Sequence, residues 1–183
     1  MALKKSHLGI SLIEITVVIS ILAIVATFVM TKVLLSQKDT KRIAVFKETI
    51  GAIQEIAYKG FVEGKIVQGS NGSYVLNHLN ALKICDTNSE AQGCWNSSLS
   101  DARTKQPGCI LANGAVIAGL QDKPGGPGEN NFRFYIDWNG QKGPNTLGDD
   151  LLKLRLYFFP SSNAGNLEPG DTTDTELYEE IFK

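Results

Sequence analysis

The stretch that decides the fold is Gly9-Ile10-Ser11-Leu12-Ile13-Glu14, because it opens a long apolar segment with a single acidic residue. No charged side chain follows Glu14 until Lys32. The segment from Ile10 to Thr31 is uncharged apart from Glu14. As a helix it would be roughly 33 Å long, enough to cross a bilayer core of ~30 Å. A carboxylate in such a segment is costly, which makes Glu14 a candidate functional residue.

The apolar segment continues into a pattern typical of an amphipathic helix. Beyond Lys32, apolar residues recur in alternating steps of three and four, at Ile43, Phe46, Ile50, Ile53 and Ala57. This spacing places them on one stripe of a helix. No proline occurs between residues 10 and 59, and Gly60 is the predicted C-terminal stop. The sequence therefore predicts one long helix from Ile10 to about Lys59.

The rest of the chain, from residue 61 onward, is predicted to be a small α+β head. Tyr74–Ile84 has helical spacing and is predicted as a short helix. Alternating apolar residues predict strands in three further segments, which are 110–120 (a hairpin turned at Asn113-Gly114), 132–136 (half-buried) and 152–159. Such strands form an antiparallel sheet whose apolar face is expected to cover the helix stripe. The polar segment 161–174 is predicted to be irregular.

Composition and charge narrow the function classes. The formal net charge of −1 disfavours broad nucleic-acid binding, so no nucleic-acid partner is expected. Two histidines, His7 and His78, leave little material for acid–base chemistry. The sequence offers no Ser–His–Asp or Cys–His arrangement, no phosphate loop and no pair of catalytic carboxylates. We expect that the protein is not an enzyme.

The three cysteines predict an exported domain. Cys85 and Cys94 bracket a polar loop, and a disulfide between them is expected in an oxidising compartment. Cys109 lies beside Ile110 at a strand start, where a cysteine behaves as a small buried hydrophobe. Zinc is not expected, since there is no CxxC pair.

The N-terminal segment resembles the class III signal of type IV pilins and of the pseudopilins of type II secretion systems. That signal is a basic leader, a glycine, a hydrophobic residue, Ser or Thr, Leu, an aliphatic residue and Glu. The resemblance implies that a prepilin peptidase cuts after Gly9 and methylates the new amino terminus on Ile10. It also implies that Glu14 meets the charged amino terminus of a neighbouring subunit during filament assembly.

The resemblance implies a pilin-like α+β architecture, with one long N-terminal helix packed on a small antiparallel sheet. The expected parts are a leader (1–9), a transmembrane and assembly half-helix (10–32), an amphipathic half-helix (33–60) and an exported head (61–183). The expected partners are the prepilin peptidase, identical or related subunits, an assembly platform in the cytoplasmic membrane, and membrane lipid. The alternatives are a membrane-anchored exported binding protein or enzyme with an uncleaved anchor, and a DNA-uptake minor pilin.

A polar segment from Asp137 to Asp150 resembles a D-x-N-G…G-P-N…G-x-D loop found near the C-terminus of many pilin-like proteins. Some pseudopilins hold a structural calcium ion in a C-terminal loop. The resemblance implies such an ion here, with oxygen ligands from Asp137, Asn139, Gln141 and Asp149. The alternative is a metal-free connection, because the same stretch is rich in turn-forming Asn, Gly and Pro.

Overall fold

The computed structural model describes residues 11–67, 72–96, 105–120, 131–140, 142–143, 145–157 and 167–182. The chain divides into two compact units, residues 1–40 and residues 41–183. The first helix, α1, spans Leu12–Val62. The elements that follow are α2 (Ser73–His78), β1 (Ala81–Cys85), β2 (Gly108–Leu111), β3 (Val116–Ala118), β4 (Asn131–Asp137), β5 (Leu151–Tyr157), β6 (Leu167–Pro169), a 3-10 helix (Thr172–Asp174) and α3 (Thr175–Phe182). The fold class is α+β, as the sequence predicts.

In the N-terminal unit, α1 exposes its apolar side chains around its whole circumference. Large aliphatic and aromatic residues from Leu12 to Leu35 are exposed to solvent. The hydroxyls of Thr16, Ser20 and Thr27 donate to carbonyls four residues earlier, so these polar groups are satisfied within the helix. By length and composition, α1 is able to cross a membrane, and it is the one helix among the described residues that is.

The end of α1 lies two residues beyond the predicted stop at Gly60. Gly64, with φ of +68°, takes the left-handed conformation that commonly follows a helix. Gly60 has a packing role instead, because a Cβ at this position would lie 2.5 Å from a ring carbon of Tyr74. The glycine therefore allows α2 to approach α1 closely.

The sheet is a meander. In the described residues its six strands lie in the order β1-β2-β3-β4-β5-β6, and each pair of neighbours is antiparallel. The predicted hairpin is confirmed as β2 and β3. Its turn is closed by a hydrogen bond from the Leu111 amide to the Ala115 carbonyl, and Gly114 adopts a φ of +91°. Only glycine adopts such a φ without strain, which explains the Asn113-Gly114 signal.

The main core of the C-terminal unit lies between the second part of α1 and one face of the sheet. The α1 residues Phe46, Ile50, Ile53 and Ala57 are buried, which confirms the predicted stripe except at its first member, Ile43, which is half-buried. They belong to one hydrophobic cluster with the inward-facing side chains of β4 and β5, namely Phe132, Phe134, Ile136, Leu152, Leu154 and Leu156. The expected packing of the sheet on the helix is therefore present.

The opposite face of the sheet is also covered, so the prediction of a half-buried β4 is wrong. Tyr135 is only 2 % exposed and lies in a second cluster with Trp95, Val116, Ala118 and Leu151. The rings of Trp95 and Tyr135 have centroids 6.2 Å apart. Trp95 comes from the loop after β1, which lies far from β4 in the sequence. The alternation of apolar and polar residues along β4 therefore gave no indication that Trp95 packs against this face of the sheet.

Two further predictions are corrected by the structure. The helix predicted for Tyr74–Ile84 ends at His78, and residues 81–85 form β1, because Ile84 and its neighbours pair with β2. Of the segment predicted to be irregular, residues 161–166 lie outside the described residues, and residues 167–174 contain β6 and the 3-10 helix, which α3 follows. Leu177 and Ile181 of α3 are buried in the main core, which accounts for the order of this C-terminal segment.

Candidate functional site

The first candidate site is the start of α1. Gly9 and Ile10 lie outside the described residues, so their processing stays a prediction. Glu14 lies in the first turn of α1, and its Oε2 accepts a hydrogen bond of 2.8 Å from the Ser11 amide. The Ser11 hydroxyl oxygen in turn accepts one from the Ile13 amide at 3.4 Å. This is a capping box, and the Ser-x-x-Glu spacing that signals it is present in the sequence.

The capping box has a chemical consequence for Glu14. A carboxylate near the first turn of a helix is stabilised by the unsatisfied amides and the helix dipole there. The side chain of Glu14 nevertheless remains exposed. The geometry therefore places a carboxyl group at the beginning of an apolar helix, where it is accessible to a cationic group.

The second candidate site is the cysteine set. Cys85 and Cys94 form a disulfide with a Cα–Cα distance of 6.3 Å, as predicted. The loop between the two cysteines is closed by the backbone carbonyl of Ser89, which accepts hydrogen bonds from the amides of Cys94 and Trp95. Cys109 is a free, buried thiol in the main core, and burial raises its pKa to about 12. Such a thiol is not reactive.

The third candidate site is the polar loop between β4 and β5. Asp137, at the end of β4, is 2 % exposed, and its Oδ1 accepts a hydrogen bond of 3.0 Å from the Asn139 amide. Burial raises the pKa of the Asp137 carboxyl to about 7. The negative charge of Asp150 also raises this pKa, whereas the amides of Asn139 and Gly140 lower it. A buried carboxyl of this kind binds a proton near neutral pH.

Asp150 organises the loop, although it is not among the predicted ligands. Its Oδ2 accepts hydrogen bonds from the Asn145 amide at 2.7 Å and from the Asn139 side-chain amide at 3.3 Å. Its Oδ1 accepts one from the Thr146 amide. Asn145 has a φ of +54°, a left-handed conformation that Asn tolerates better than most residues. One buried carboxylate therefore satisfies several donors of the turn.

The predicted calcium ligands do not all come together. Asp137 and Asn139 lie near Asp150, whereas Asp149 contacts the Arg42 guanidinium at 3.4 Å. Gln141 lies outside the described residues. Across the part of the chain that the structure describes, no group of three or more His, Cys, Asp or Glu side chains is arranged to hold a metal ion. The calcium ion thus stays a prediction.

Comparison of the chain with protein-family models, with curated proteins and with solved structures gave no match. The assignment of function therefore depends on the residues and the geometry described above.

Proposed function

We propose that this protein is a structural subunit, a pilin or a pseudopilin, of a type IV pilus or a type II secretion-type filament. The observation that carries this proposal is that the two parts of α1 differ in their exposed and buried faces. The first part of the helix, from Leu12 to Leu35, is apolar and exposed around its circumference, and Glu14 is the acidic residue within it. Its second part is buried by one face only, in a compact α+β unit. A helix of this kind is suited to insertion in lipid and to packing against other copies of itself.

In this proposal the leader lies in the cytoplasm, and the C-terminal unit lies outside the cell or in the periplasm. The Cys85–Cys94 disulfide supports an oxidising compartment for that unit. Simple counting of basic residues favours the reverse orientation, since Lys32, Lys38, Lys41 and Arg42 follow the apolar segment. The charge of Arg42 is, however, already paired with Glu180 and Asp149. Because of this pairing, Arg42 is weaker evidence that the C-terminal unit lies in the cytoplasm.

The proposed assembly step uses the charge of Glu14. Prepilin peptidase removes residues 1–9 and methylates the amino terminus of Ile10, which is then a cation. The Glu14 carboxylate of one subunit binds this amino terminus on a neighbour when the helix enters the filament core from the membrane. Forming the pair offsets part of the cost of removing both charges from water.

The test is the intact mass of the mature protein, produced in a host that contains a prepilin peptidase. We expect a chain that begins at Ile10 and carries one additional methyl group. The Gly9→Ala variant should accumulate as the full-length precursor, because a peptidase of this class requires the glycine. A wild-type protein that retains Met1–Gly9 under these conditions would instead indicate an uncleaved anchor, as expected for a membrane-anchored exported binding protein or enzyme.

A further inference from the structure

The side chain of Arg42 connects three segments that are distant in sequence. Its Nη2 donates to both carboxylate oxygens of Glu180 in α3, at 2.9 and 2.8 Å. Its Nη1 lies 3.4 Å from both the carboxylate Oδ1 and the backbone carbonyl of Asp149. The Arg42 side chain is 13 % exposed, whereas those of Asp149 and Glu180 are 56 % and 46 % exposed, so the guanidinium is shielded from water and the two carboxylates are only partly shielded. All three residues belong to the C-terminal unit.

The helix α3 requires tertiary contacts. It has eight residues, which is too short for an isolated helix to be stable in water. Its buried side chains Leu177 and Ile181 attach it to the main core, and the Tyr178 hydroxyl donates to the Leu167 carbonyl at 2.6 Å. The contact of Arg42 Nη2 with both carboxylate oxygens of Glu180 adds a charged link to α1.

The same guanidinium contacts the loop between β4 and β5 through Asp149. Calcium requires six to eight oxygen ligands. Both oxygens of Asp150, however, already accept N–H groups, and Oδ1 of Asp137 accepts the Asn139 amide. N–H donors directed at these oxygens occupy positions that an ion would need. Asp149, a predicted ligand, contacts Arg42 instead. Within the part of the chain that the structure describes, Oδ1 of Asn139 is buried without a hydrogen-bond partner and is free to face an ion, but one such oxygen falls far short of the six to eight that calcium needs. The described residues therefore do not supply a complete calcium shell.

We propose that Arg42 is an internal cation that fastens both the β4–β5 loop and α3 to α1, so that the loop closes without a metal ion. In this arrangement the single positive charge of the guanidinium is shared between Asp149 and Glu180. Loss of Arg42 would then loosen the loop and α3 at the same time, although they are far apart in sequence. The inference concerns the C-terminal unit alone and does not depend on filament assembly.

The test is amide hydrogen exchange, followed by mass spectrometry, on the full chain in detergent. The Arg42→Gln variant should accelerate exchange about twofold to fivefold in both residues 145–150 and residues 175–182, the range expected for losing ion pairs whose carboxylates are about half exposed. Lys41→Gln is the matched control, since Lys41 is the exposed neighbouring cation, and its exchange should equal that of the wild type. Acceleration in neither segment, or equal acceleration in the control, would overturn the proposal.

Two further measurements separate the contacts. Glu180→Gln should accelerate exchange in α3 but spare the loop, and Arg42→Lys should accelerate both segments by a smaller factor, because lysine keeps the charge without the bidentate geometry.

The wild-type melting temperature should be the same in calcium and in EDTA. A rise of several degrees in calcium, absent in Asp137→Ala, would show a metal-held loop and refute the proposal. None of these results bears on leader cleavage or filament formation.

Discussion

Replacing Asp137 by Asn should stabilise the protein at pH 8 and change its stability little at pH 4. Asp137 is 2 % exposed, and its burial raises the pKa of the carboxyl from 3.8 to about 7. The folded state therefore holds this proton more tightly than the unfolded state does. The sign follows from linkage: the wild type loses stability as the pH rises from about 4 to about 7, and the loss is complete above that range.

The magnitude follows from the same shift. A difference of about 3 pKa units corresponds to at most about 4 kcal/mol of unfolding free energy, at 1.36 kcal/mol per unit. Asn resembles the protonated carboxyl in shape and cannot ionise, and its oxygen can still accept the Asn139 amide. The Asp137→Asn variant should therefore lack this pH dependence, and its advantage over the wild type should grow between pH 4 and pH 7.

The assay is urea unfolding of the full chain in detergent at several pH values between 4 and 8.5, with EDTA present throughout. Taking the difference between variant and wild type at each pH cancels the titration of the other groups. The Glu55→Gln variant is the control, because Glu55 is exposed on α1, and its difference from the wild type should stay constant. A variant curve parallel to the wild type, or a wild type that gains stability relative to Asp137→Asn as the pH rises, would refute the reasoning.

Two other predictions concern the cysteines and Glu14. Thiol labelling of the unfolded, unreduced chain should tag Cys109 and spare Cys85 and Cys94, and replacing both bridged cysteines by Ser should cost about 3 kcal/mol of stability, the value expected for so short a loop. A blocked Cys109 with either of the other thiols free would contradict this pairing. Glu14→Val should leave membrane insertion and leader cleavage intact and abolish filament assembly, measured as sheared filament yield; normal yield would contradict the charge-pairing role.

The sequence predicted the elements whose signal is local. The stripe from Phe46 to Ala57 has a helical period, and β4 and β5 alternate along their lengths, so α1 and the middle of the sheet were predictable. Residues 81–85 were not, since Ala-Leu-Lys is a good helix-forming run and only pairing with β2 makes it a strand. The helix α3 likewise depends on burial of Leu177 and Ile181 in a distant core.

The polar loop shows why site residues are harder to predict than strands. Asp149 and Asp150 are adjacent in sequence, and Asp149 was predicted as the ligand, although the G-x-D part of the loop pattern ends on Asp150. In the structure Asp150 is the carboxylate that accepts the turn amides. Asp149 instead contacts Arg42, which is 107 residues away in sequence. The contact with Arg42 is the part of this arrangement that no local pattern indicates.

Glu14 has two possible partners, and these can be separated by chemistry. In the described chain its carboxylate accepts the Ser11 amide, a local contact that any oxygen acceptor of the right length can make. The proposed contact with a neighbouring amino terminus requires a negative charge. Glu14→Gln keeps the acceptor and removes the charge, and Gln is also accepted at this position of a capping box. If capping were the whole role of Glu14, this variant would assemble filaments normally; if the charge pair drives assembly, it should fail as Glu14→Val does.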